Sequence, residues 1–168
     1  MTKDQDNKII KGQLEHSQTN PAPEIICYFP EAKKNNKTTL IIFPGGGYAG
    51  LASYEGAGYA QYFVGLGFTC FVVYYRLANQ NFKHPAMLED ALSAIYIVRK
   101  NAAVFGIDDQ KIGVMGSSAG GHLAAHTLVH NRTYQSTISL KPNFAILCYP
   151  VIFMDEGVLT HSGSRKSL

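Results

Sequence analysis

One serine of this sequence lies in a pattern that can make it a nucleophile. Residues 116–120 read Gly-Ser-Ser-Ala-Gly, a G-x-S-x-G pattern that follows the apolar run Ile112–Met115 and precedes a helix-like segment. A strand, a sharp turn and a helix in that order place the central serine on a strained turn with its hydroxyl exposed. A glycine-rich connection that binds phosphate, or only reverses the chain, is the alternative. The pattern makes Ser118 a candidate nucleophile.

Acyl transfer by a serine also needs a base for its proton and hydrogen-bond donors for the oxyanion. The backbone N–H of Ala119 follows the serine at the predicted helix start. A second glycine-rich turn, residues 44–48 (Pro-Gly-Gly-Gly-Tyr), follows the apolar run Thr38–Phe43 and can bring one or two more N–H groups close. Neither turn has the P-loop spacing of a phosphate site, which ends in Lys-Ser/Thr. The donor requirement is therefore met.

The segments around these turns predict an α/β fold. Strand-like runs cover Lys8–Lys11, Glu24–Phe29, Thr38–Phe43, Phe68–Tyr75, Ile112–Met115 and Asn143–Tyr149, and helical patterns cover residues 53–66, 85–105 and the segment after Ser118. The first two strands are expected to form an antiparallel edge. Strands that alternate with helices imply a mostly parallel sheet with helices on both faces, a three-layer α-β-α arrangement. Both glycine-rich turns then meet at the carboxyl edge of the sheet, where ligands bind.

Composition favours a single globular domain and argues against nucleic-acid-binding and membrane proteins. The 168 residues are 46% hydrophobic and 16% charged, with a formal charge of +3, which predicts one globular domain over residues 1–168 and no nucleic-acid or membrane partner. The N-terminus is polar and no long apolar run follows, so we expect neither a signal peptide nor a spanning helix, and a cytoplasmic location. Cys27, Cys70 and Cys148 lie in strand-like runs without metal or disulfide spacings, and we interpret them as buried, reduced residues.

The two glycine-rich segments resemble those of the α/β-hydrolase superfamily. Pro44–Tyr48 (PGGGY) and Gly116–Ala124 (GSSAGGHLA), with Tyr75–Leu77 and His84–Ala91 between them, are most similar to the acetyl esterase and acetylxylan esterase-like branch related to hormone-sensitive lipase. The resemblance covers most of residues 38–150. It implies a serine carboxylic-ester hydrolase without a cofactor or metal, acting on short acyl esters, acetyl esters above all, including those of carbohydrates.

The resemblance also implies roles for individual residues. Ser118 would form the acyl-enzyme, and Gly46, Gly47 and Ala119 would supply the oxyanion hole. Where relatives often begin the glycine loop with histidine, this chain has Pro44, which leaves open how hydrogen bonds hold the loop.

The acid and the histidine of the triad are expected beyond Leu168. In this family they follow the nucleophile, in that order, on loops after two further strands, whereas the only acidic residues here after Ser118 are Asp155 and Glu156. The chain is therefore interpreted as the N-terminal part of an α/β-hydrolase. An uncovered sheet edge in such a part predicts self-association, so a homo-oligomeric state is one open alternative. Glu89 and Asp90 lie near the first turn of a helix, where negative charge is favoured, and are interpreted as structural.

Histidines within the chain are weak candidates for the base. His122, His126 and His130 recur every four residues along the helix that Ser118 starts, so they run away from its hydroxyl. Their spacing lacks the glutamate of H-E-x-x-H, which favours packing over metal binding. His161 lies in a Ser/Gly-rich tail that could approach the site, but no pattern fixes it there.

Two other functions stay open at this point. One is a serine peptidase on the same fold, and the other is an inactive binding module that has kept the fold. A cluster of tyrosines, Tyr48, Tyr54, Tyr59 and Tyr62, could line a sugar-facing entrance, although tyrosines on an amphipathic helix more often pack in the core or on the surface.

Overall fold

A six-stranded mixed sheet forms the centre of the molecule. The computed structural model describes residues 8–11, 22–156 and 158–168, so the polar N-terminus used to predict the absence of a signal peptide lies outside the described residues. The strands are β1 (Lys8–Lys11), β2 (Glu24–Tyr28), β3 (Thr39–Phe43), β4 (Thr69–Tyr74), β5 (Ile112–Ser117) and β6 (Phe144–Cys148). Their order in the sheet is β1-β2-β4-β3-β5-β6.

Strand direction explains why two distant loops meet. β3 pairs in parallel with both β4 and β5, and β5 pairs in parallel with β6. β2 runs antiparallel to both of its neighbours, so the expected antiparallel edge is confirmed. Phe43, the last residue of β3, is the register partner of Gly116 on β5. The loops that follow β3 and β5 therefore leave the sheet side by side, at its carboxyl edge.

Helices cover both faces of the sheet, as predicted. They are α1 (Tyr59–Gly65), α2 (Ala86–Lys100), α3 (Ala102–Phe105), α4 (Ala119–His130) and α5 (Ser162–Ser167). Successive residues of β3 alternate between two cores, because strand side chains point to opposite faces. Ile41 packs with α2 and α4, whereas Leu40 and Ile42 pack with Ala60 of α1. Burial of each such aliphatic side chain contributes about 1.5–3 kcal/mol to the free energy of unfolding.

Two of the predicted helices differ in detail from the structure. The segment predicted as one helix over residues 53–66 begins with a π-helical turn, Tyr54–Gly58, and becomes α-helical only at Tyr59. Gly56 in that turn lies so close to the sheet that an added Cβ would be 3.0 Å from Val72 Cγ1. The helix predicted over residues 85–105 is interrupted at Asn101, which separates α2 from α3 and whose side chain donates to Ile97 O (2.8 Å). Tertiary packing and a local side-chain bond thus override the simple helical period.

The three cysteines form no disulfide bond, and only two of them are buried, whereas all three were expected to be. Cys27 and Cys70 are inaccessible to solvent, whereas Cys148, at the end of the edge strand β6, is half-buried. Burial raises the pKa of the Cys70 thiol to about 12, so this group stays protonated. Among the described residues, no helix is long and apolar enough to cross a membrane.

Candidate active site

Ser118 lies on a sharp turn between β5 and α4. Its backbone has φ +52° and ψ −119°, a conformation that is strained for any residue other than glycine. Three bonds hold it: the Ser118 N–H donates to Cys148 O (3.0 Å), and its carbonyl accepts from the N–H groups of His122 (3.0 Å) and Val151 (3.1 Å). The strain is therefore fixed by β6, by the loop after it and by the first turn of α4. The side chain is half-buried.

Small residues around the serine are required by the close approach of strand, loop and helix. A Cβ on Gly116 would lie 2.1 Å from Gly120 O, and one on Gly120 would lie 2.0 Å from Phe43 O. Neither position has room for a methyl group. The glycines of the G-x-S-x-G pattern thus let α4 start directly against the ends of β3 and β5.

The glycine loop after β3 presents unpaired amide groups. Gly46 has φ +135° and Gly47 has φ +64°, and a Cβ on Gly46 would lie 2.2 Å from Gly50 O. The Gly46 carbonyl accepts from the N–H groups of Ala49 and Gly50, which closes the turn. Among the described residues, the N–H groups of Gly46, Gly47 and Ala119 donate to no carbonyl or side chain. Such free N–H groups at a loop and at a helix start can bind an anionic oxygen.

A cavity of about 560 Å³ brings the predicted residues together. Ser118, Gly46 and Gly47 all line it, and Ala119, which follows the serine at the start of α4, is fully buried. This volume is in the range of small-molecule sites. The convergence of the two glycine-rich turns on one site, predicted from the parallel sheet, is therefore observed.

Only one member of the predicted tyrosine cluster lines the cavity. Tyr54 does so and is 70% exposed. Tyr48 is fully buried, with its hydroxyl 2.6 Å from His122 Nδ1. Tyr59 accepts a hydrogen bond from Ser117 Oγ (3.0 Å), and Tyr62 lies exposed on α1. Three of the four tyrosines therefore pack in the core or lie on the surface, as is more usual for such residues, and only Tyr54 is placed to line an entrance.

The histidines of α4 form a row that leads away from Ser118. The ring centroids of His122 and His126 are 4.3 Å apart, those of His126 and His130 are 4.9 Å apart, and His84 lies 5.8 Å from His126. His122 is bonded to Tyr48 as described above, which makes it a packing residue. In the part of the chain that the structure describes, no group of three histidine, cysteine or acidic side chains could hold a metal ion.

The histidine row predicts acid-sensitive stability. Burial is the main cause that lowers the pKa of His126, and together with the nearby His122, His130 and His84 it brings the value to about 4. An unfolded histidine titrates near 6.5, so the unfolded state binds the proton more readily and the free energy of unfolding falls as pH drops from about 6.5 to 4.

In the natural gene product that carries these 168 residues, we expect the Tm to fall by about 2–4 °C more between pH 7 and pH 5 than in a His126→Gln variant. Calorimetry at the two pH values measures this difference. A Lys33→Gln variant serves as control, since Lys33 is exposed and is not among the groups that lower the pKa of His126. Equal losses of Tm in the wild type and in His126→Gln would contradict the prediction.

His161 lines the same cavity as Ser118 but is held in a different role. Its Nδ1 accepts the N–H of Ser164 (3.1 Å) at the start of α5, and Ser164 Oγ lies 2.8 Å from the same nitrogen. A neutral imidazole that accepts at Nδ1 carries its proton on Nε2. A base that takes a serine proton through Nε2 needs the opposite tautomer. In this arrangement His161 caps a helix.

One buried acid at the site was missed by sequence reasoning. Glu55, on the π-helical turn, is only 4% exposed, and its Oε2 accepts the N–H of Gly45 (2.6 Å) while its Oε1 accepts the hydroxyl of Tyr149 (2.6 Å). On the other side of the same loop, the Tyr75 hydroxyl donates to Pro44 O (2.5 Å). These bonds show how a glycine loop that begins with Pro44 is held. No spacing in the sequence marks Glu55, because its partners are distant in the chain.

A buried ion-pair cluster of Arg76 with Asp90 and Glu89 holds the segment after β4 against α2. Arg76 donates through Nε to both carboxylate oxygens of Asp90 (3.0 Å each) and through its backbone N–H to Oδ2 (2.7 Å). Its NH2 group also lies 3.3 Å from Glu89 Oε2 and donates to Ala86 O. Burial raises the pKa of Asp90, and the hydrogen bonds from Arg76 oppose this rise. Glu89 and Asp90 thus hold a buried arginine, which agrees with a structural role but gives it a different cause from the helix dipole.

Comparison with known proteins agrees with this geometry. The BD-FAE family profile matches residues 26–146, more than half of the chain. The chain belongs to the BD-FAE family. Both glycine-rich turns lie inside the matched BD-FAE region, and the predicted relation to acetylxylan esterase-like α/β-hydrolases is confirmed.

Curated relatives of this BD-FAE chain include esterases and a xylanase. An acetylxylan esterase of Xylanibacter ruminicola is 36% identical over 136 residues, which are 80% of this chain and 26% of that protein. Endo-1,4-beta-xylanase B of Butyrivibrio fibrisolvens is 36% identical over 137 residues, 77% of this chain and 21% of the relative. The chain thus spans about a quarter of the length of these relatives.

Solved structures similar to the BD-FAE chain confirm the α/β-hydrolase fold. An acetyl ester-xyloside bifunctional hydrolase from Caldicellulosiruptor lactoaceticus has a TM-score of 0.83 and 34% identity, over 96% of this chain and 63% of that one. Esterase 2 of Thermogutta terrifontis, phosphorylated by paraoxon, has a TM-score of 0.74 and 30% identity, over 89% of this chain and 59% of its own.

Proposed function

We propose that the protein carrying this chain is a serine carboxylic-ester hydrolase that cleaves short acyl esters, acetyl esters above all, through an acyl-enzyme on Ser118. The observation that carries the proposal is the position of Ser118, on a positive-φ turn that lines a cavity together with the free N–H groups of Gly46 and Gly47. A strained serine beside unpaired amide donors fits acyl transfer.

The proposed chemistry has two halves. Ser118 Oγ attacks the acyl carbon as a base removes its proton, and the carbonyl oxygen becomes an oxyanion that accepts hydrogen bonds from the N–H groups of Gly46, Gly47 and Ala119. The tetrahedral intermediate collapses and expels the alcohol, which takes up the proton from the base. Water then attacks the acyl-enzyme by the same route and releases the acid.

The base and its acid partner are proposed to come from residues other than these 168. His122 is bonded to Tyr48, His126 and His130 lie farther along α4, and His161 accepts at the nitrogen that a triad histidine uses as a donor. These histidines are therefore either bonded elsewhere or placed farther along α4 than the serine. A histidine oriented by a carboxylate, from a loop at the carboxyl edge of the sheet, completes the mechanism.

The proposed substrates are acetyl esters of carbohydrates. Support comes from the relatives whose names include acetylxylan esterase, xylanase and ester-xyloside hydrolase. The cavity of about 560 Å³ is open enough for a sugar ring beside an acetyl group, and the exposed Tyr54 lines it. A cytoplasmic location remains a prediction from the polar N-terminus, and a homo-oligomeric state remains a prediction from the uncovered sheet edge.

Acetate release from acetylated xylo-oligosaccharides by the natural gene product tests this proposal. We expect release that depends on Ser118, and a kcat/KM for 4-nitrophenyl acetate at least about 10-fold above that for the octanoate, since each misfitted methylene costs binding. Parallel assays with an acetylated amino acid amide test for a peptidase. Faster amide than ester cleavage, or no turnover with any of these substrates, would contradict the proposed function.

A further inference from the structure

Glu55 is a buried carboxylate without a cationic partner among the described residues. It is 4% exposed, and the ion pairs of the described residues do not include it. Its two oxygens are satisfied by the Gly45 N–H and the Tyr149 O–H, each at 2.6 Å. Burying a carboxylate on neutral donors alone is costly, so stability by itself is a poor reason for an acid at this position.

The carboxylate holds one peptide plane of the glycine loop from one side, and a tyrosine holds it from the other. Gly45 N–H and Pro44 C=O belong to the same peptide group, and they bond to Glu55 and to Tyr75, respectively. A Cβ on Gly45 would lie 2.6 Å from both Glu55 Oε2 and Ser117 O and 3.2 Å from Ser118 Cβ. Gly45 therefore lies in close contact with the backbone beside the nucleophile, and the two hydrogen bonds hold its peptide group there.

This peptide directly precedes the two free amide groups of the loop. Gly46 and Gly47 both have positive φ, and their N–H groups donate to no acceptor among the described residues. Glycine has wide backbone freedom, so the direction of these N–H groups depends on how the peptide before them is held. A clamp on Gly45 fixes where a following oxyanion donor points.

The same carboxylate links the glycine loop to the chain after β6. Tyr149 has φ +34° and follows Cys148, whose carbonyl accepts the Ser118 N–H. The hydrogen bond to Glu55 raises the pKa of Tyr149, so its hydroxyl stays a donor at neutral pH. Glu55 thus connects the two backbone segments that flank Ser118.

We propose that Glu55 is a positioning residue for the oxyanion hole, which holds the Pro44–Gly45 peptide so that the Gly46 and Gly47 N–H groups face the reacting carbonyl. The inference rests on the proposed esterase function. Glu55 touches neither the ester nor Ser118 Oγ in this role and acts through the Gly45 amide. Its isostere glutamine can keep the role, because the amide oxygen accepts from Gly45 and the amide nitrogen donates to the Tyr149 oxygen.

Steady-state kinetics of Glu55 variants of the natural gene product test the proposal. In Glu55→Ala we expect kcat for 4-nitrophenyl acetate to fall by about 10²-fold, as when one oxyanion donor is lost, with little change in KM. Glu55→Gln keeps most of the rate. Glu31→Ala, which changes an exposed glutamate far from the cavity, is the matched control and keeps the wild-type kcat. Wild-type kcat in Glu55→Ala, or equal losses in the alanine and glutamine variants, would overturn the proposal.

Amide hydrogen exchange of residues 44–48 separates this proposal from the proposed function. We expect the Gly45 amide to exchange faster in Glu55→Ala and at close to the wild-type rate in Glu55→Gln, whether or not the protein turns over an ester. An unchanged Gly45 rate in Glu55→Ala would overturn the positioning role. Absence of any Ser118-dependent turnover in the wild type would instead refute the esterase, and exchange alone would then decide whether Glu55 orders the loop.

A third variant removes one bond without touching the buried acid. Tyr149→Phe changes a side chain that is 63% exposed, so the protein is expected to fold even where Glu55→Ala does not. We expect a kcat below that of the wild type and above that of Glu55→Ala, with unchanged Tm. A wild-type kcat together with a wild-type Gly45 exchange rate in Tyr149→Phe would contradict the link between the two segments.

Discussion

Replacing Ser118 with alanine in the natural gene product is expected to lower kcat for 4-nitrophenyl acetate by about 10⁶-fold, the loss seen when a serine nucleophile is removed. The bonds that hold the turn come from backbone groups of Ser118, so the variant keeps its fold. Stopped assays at high protein concentration measure the residual rate. About 10³-fold acceleration over water can persist, because the oxyanion donors and the binding cavity remain.

A matched serine provides the control for this loss. Ser139→Ala changes an exposed residue in the loop before β6 and is expected to retain the wild-type rate. Near wild-type turnover in Ser118→Ala would mean that another group forms the acyl-enzyme. A loss of the same size in Ser139→Ala would point to damage of the fold.

Replacing Asp90 with alanine is expected to lower the free energy of unfolding by about 3–5 kcal/mol. Asp90 is 1% exposed and Arg76 is 4% exposed, and the variant leaves the buried guanidinium with Glu89, at 3.3 Å, as its remaining ion-pair partner among the described residues. Breaking one side of a buried ion pair costs more than the pair contributes, since the remaining charge loses its compensation. Urea unfolding followed by far-ultraviolet circular dichroism measures the change.

Two further variants distinguish the cost of an uncompensated buried charge from a nonspecific loss of stability. Asp109→Ala removes an exposed carboxylate and should change stability by less than about 0.5 kcal/mol. The double variant Arg76→Met, Asp90→Leu removes both charges and should regain much of the lost stability. A loss in Asp90→Ala no larger than that in Asp109→Ala would contradict this interpretation of the pair.

The nucleophile turn was predictable from sequence because the residues that it requires lie within five consecutive positions. Gly116 and Gly120 are needed where strand, loop and helix meet within van der Waals distance, and that need leaves a short pattern in the chain. The convergence of the glycine loop with this turn was also predictable, since adjacent parallel strands end at one edge. In the structure, Phe43 at the end of β3 is the register partner of Gly116 near the end of β5, so the two loops begin side by side.

The supporting contacts were not predictable, because they join residues far apart in sequence. Glu55 bonds to Gly45, ten positions away, and to Tyr149, 94 positions away, whereas Tyr48 meets His122 across 74 positions. No period or spacing records such pairs. The sequence indicated a tyrosine cluster and a row of histidines, but only the tertiary packing decides which of them face a cavity and which face a core.

The prediction of an α-helix over residues 53–66 was wrong in its first turn for a different reason. The pattern of apolar residues over 53–66 fits an α-helix, yet the first turn is a π-helix, with Gly56 packed against Val72 and the Glu55 carboxylate held by Gly45. Helical periodicity reports which face is buried and says little about how each turn is wound. The residue that winds differently is also the one that reaches the glycine loop.

The most direct test of the central claim, that Ser118 is the nucleophile, is to locate the adduct formed by paraoxon on the natural gene product. The similar Thermogutta terrifontis esterase 2 has been solved in its paraoxon-phosphorylated form. After labelling and digestion, tandem mass spectrometry is expected to find the phosphoryl group on Ser118, with esterase activity lost in proportion to labelling. Loss of activity with the adduct on another residue and Ser118 unmodified, or full labelling of Ser118 with activity retained, would contradict the account.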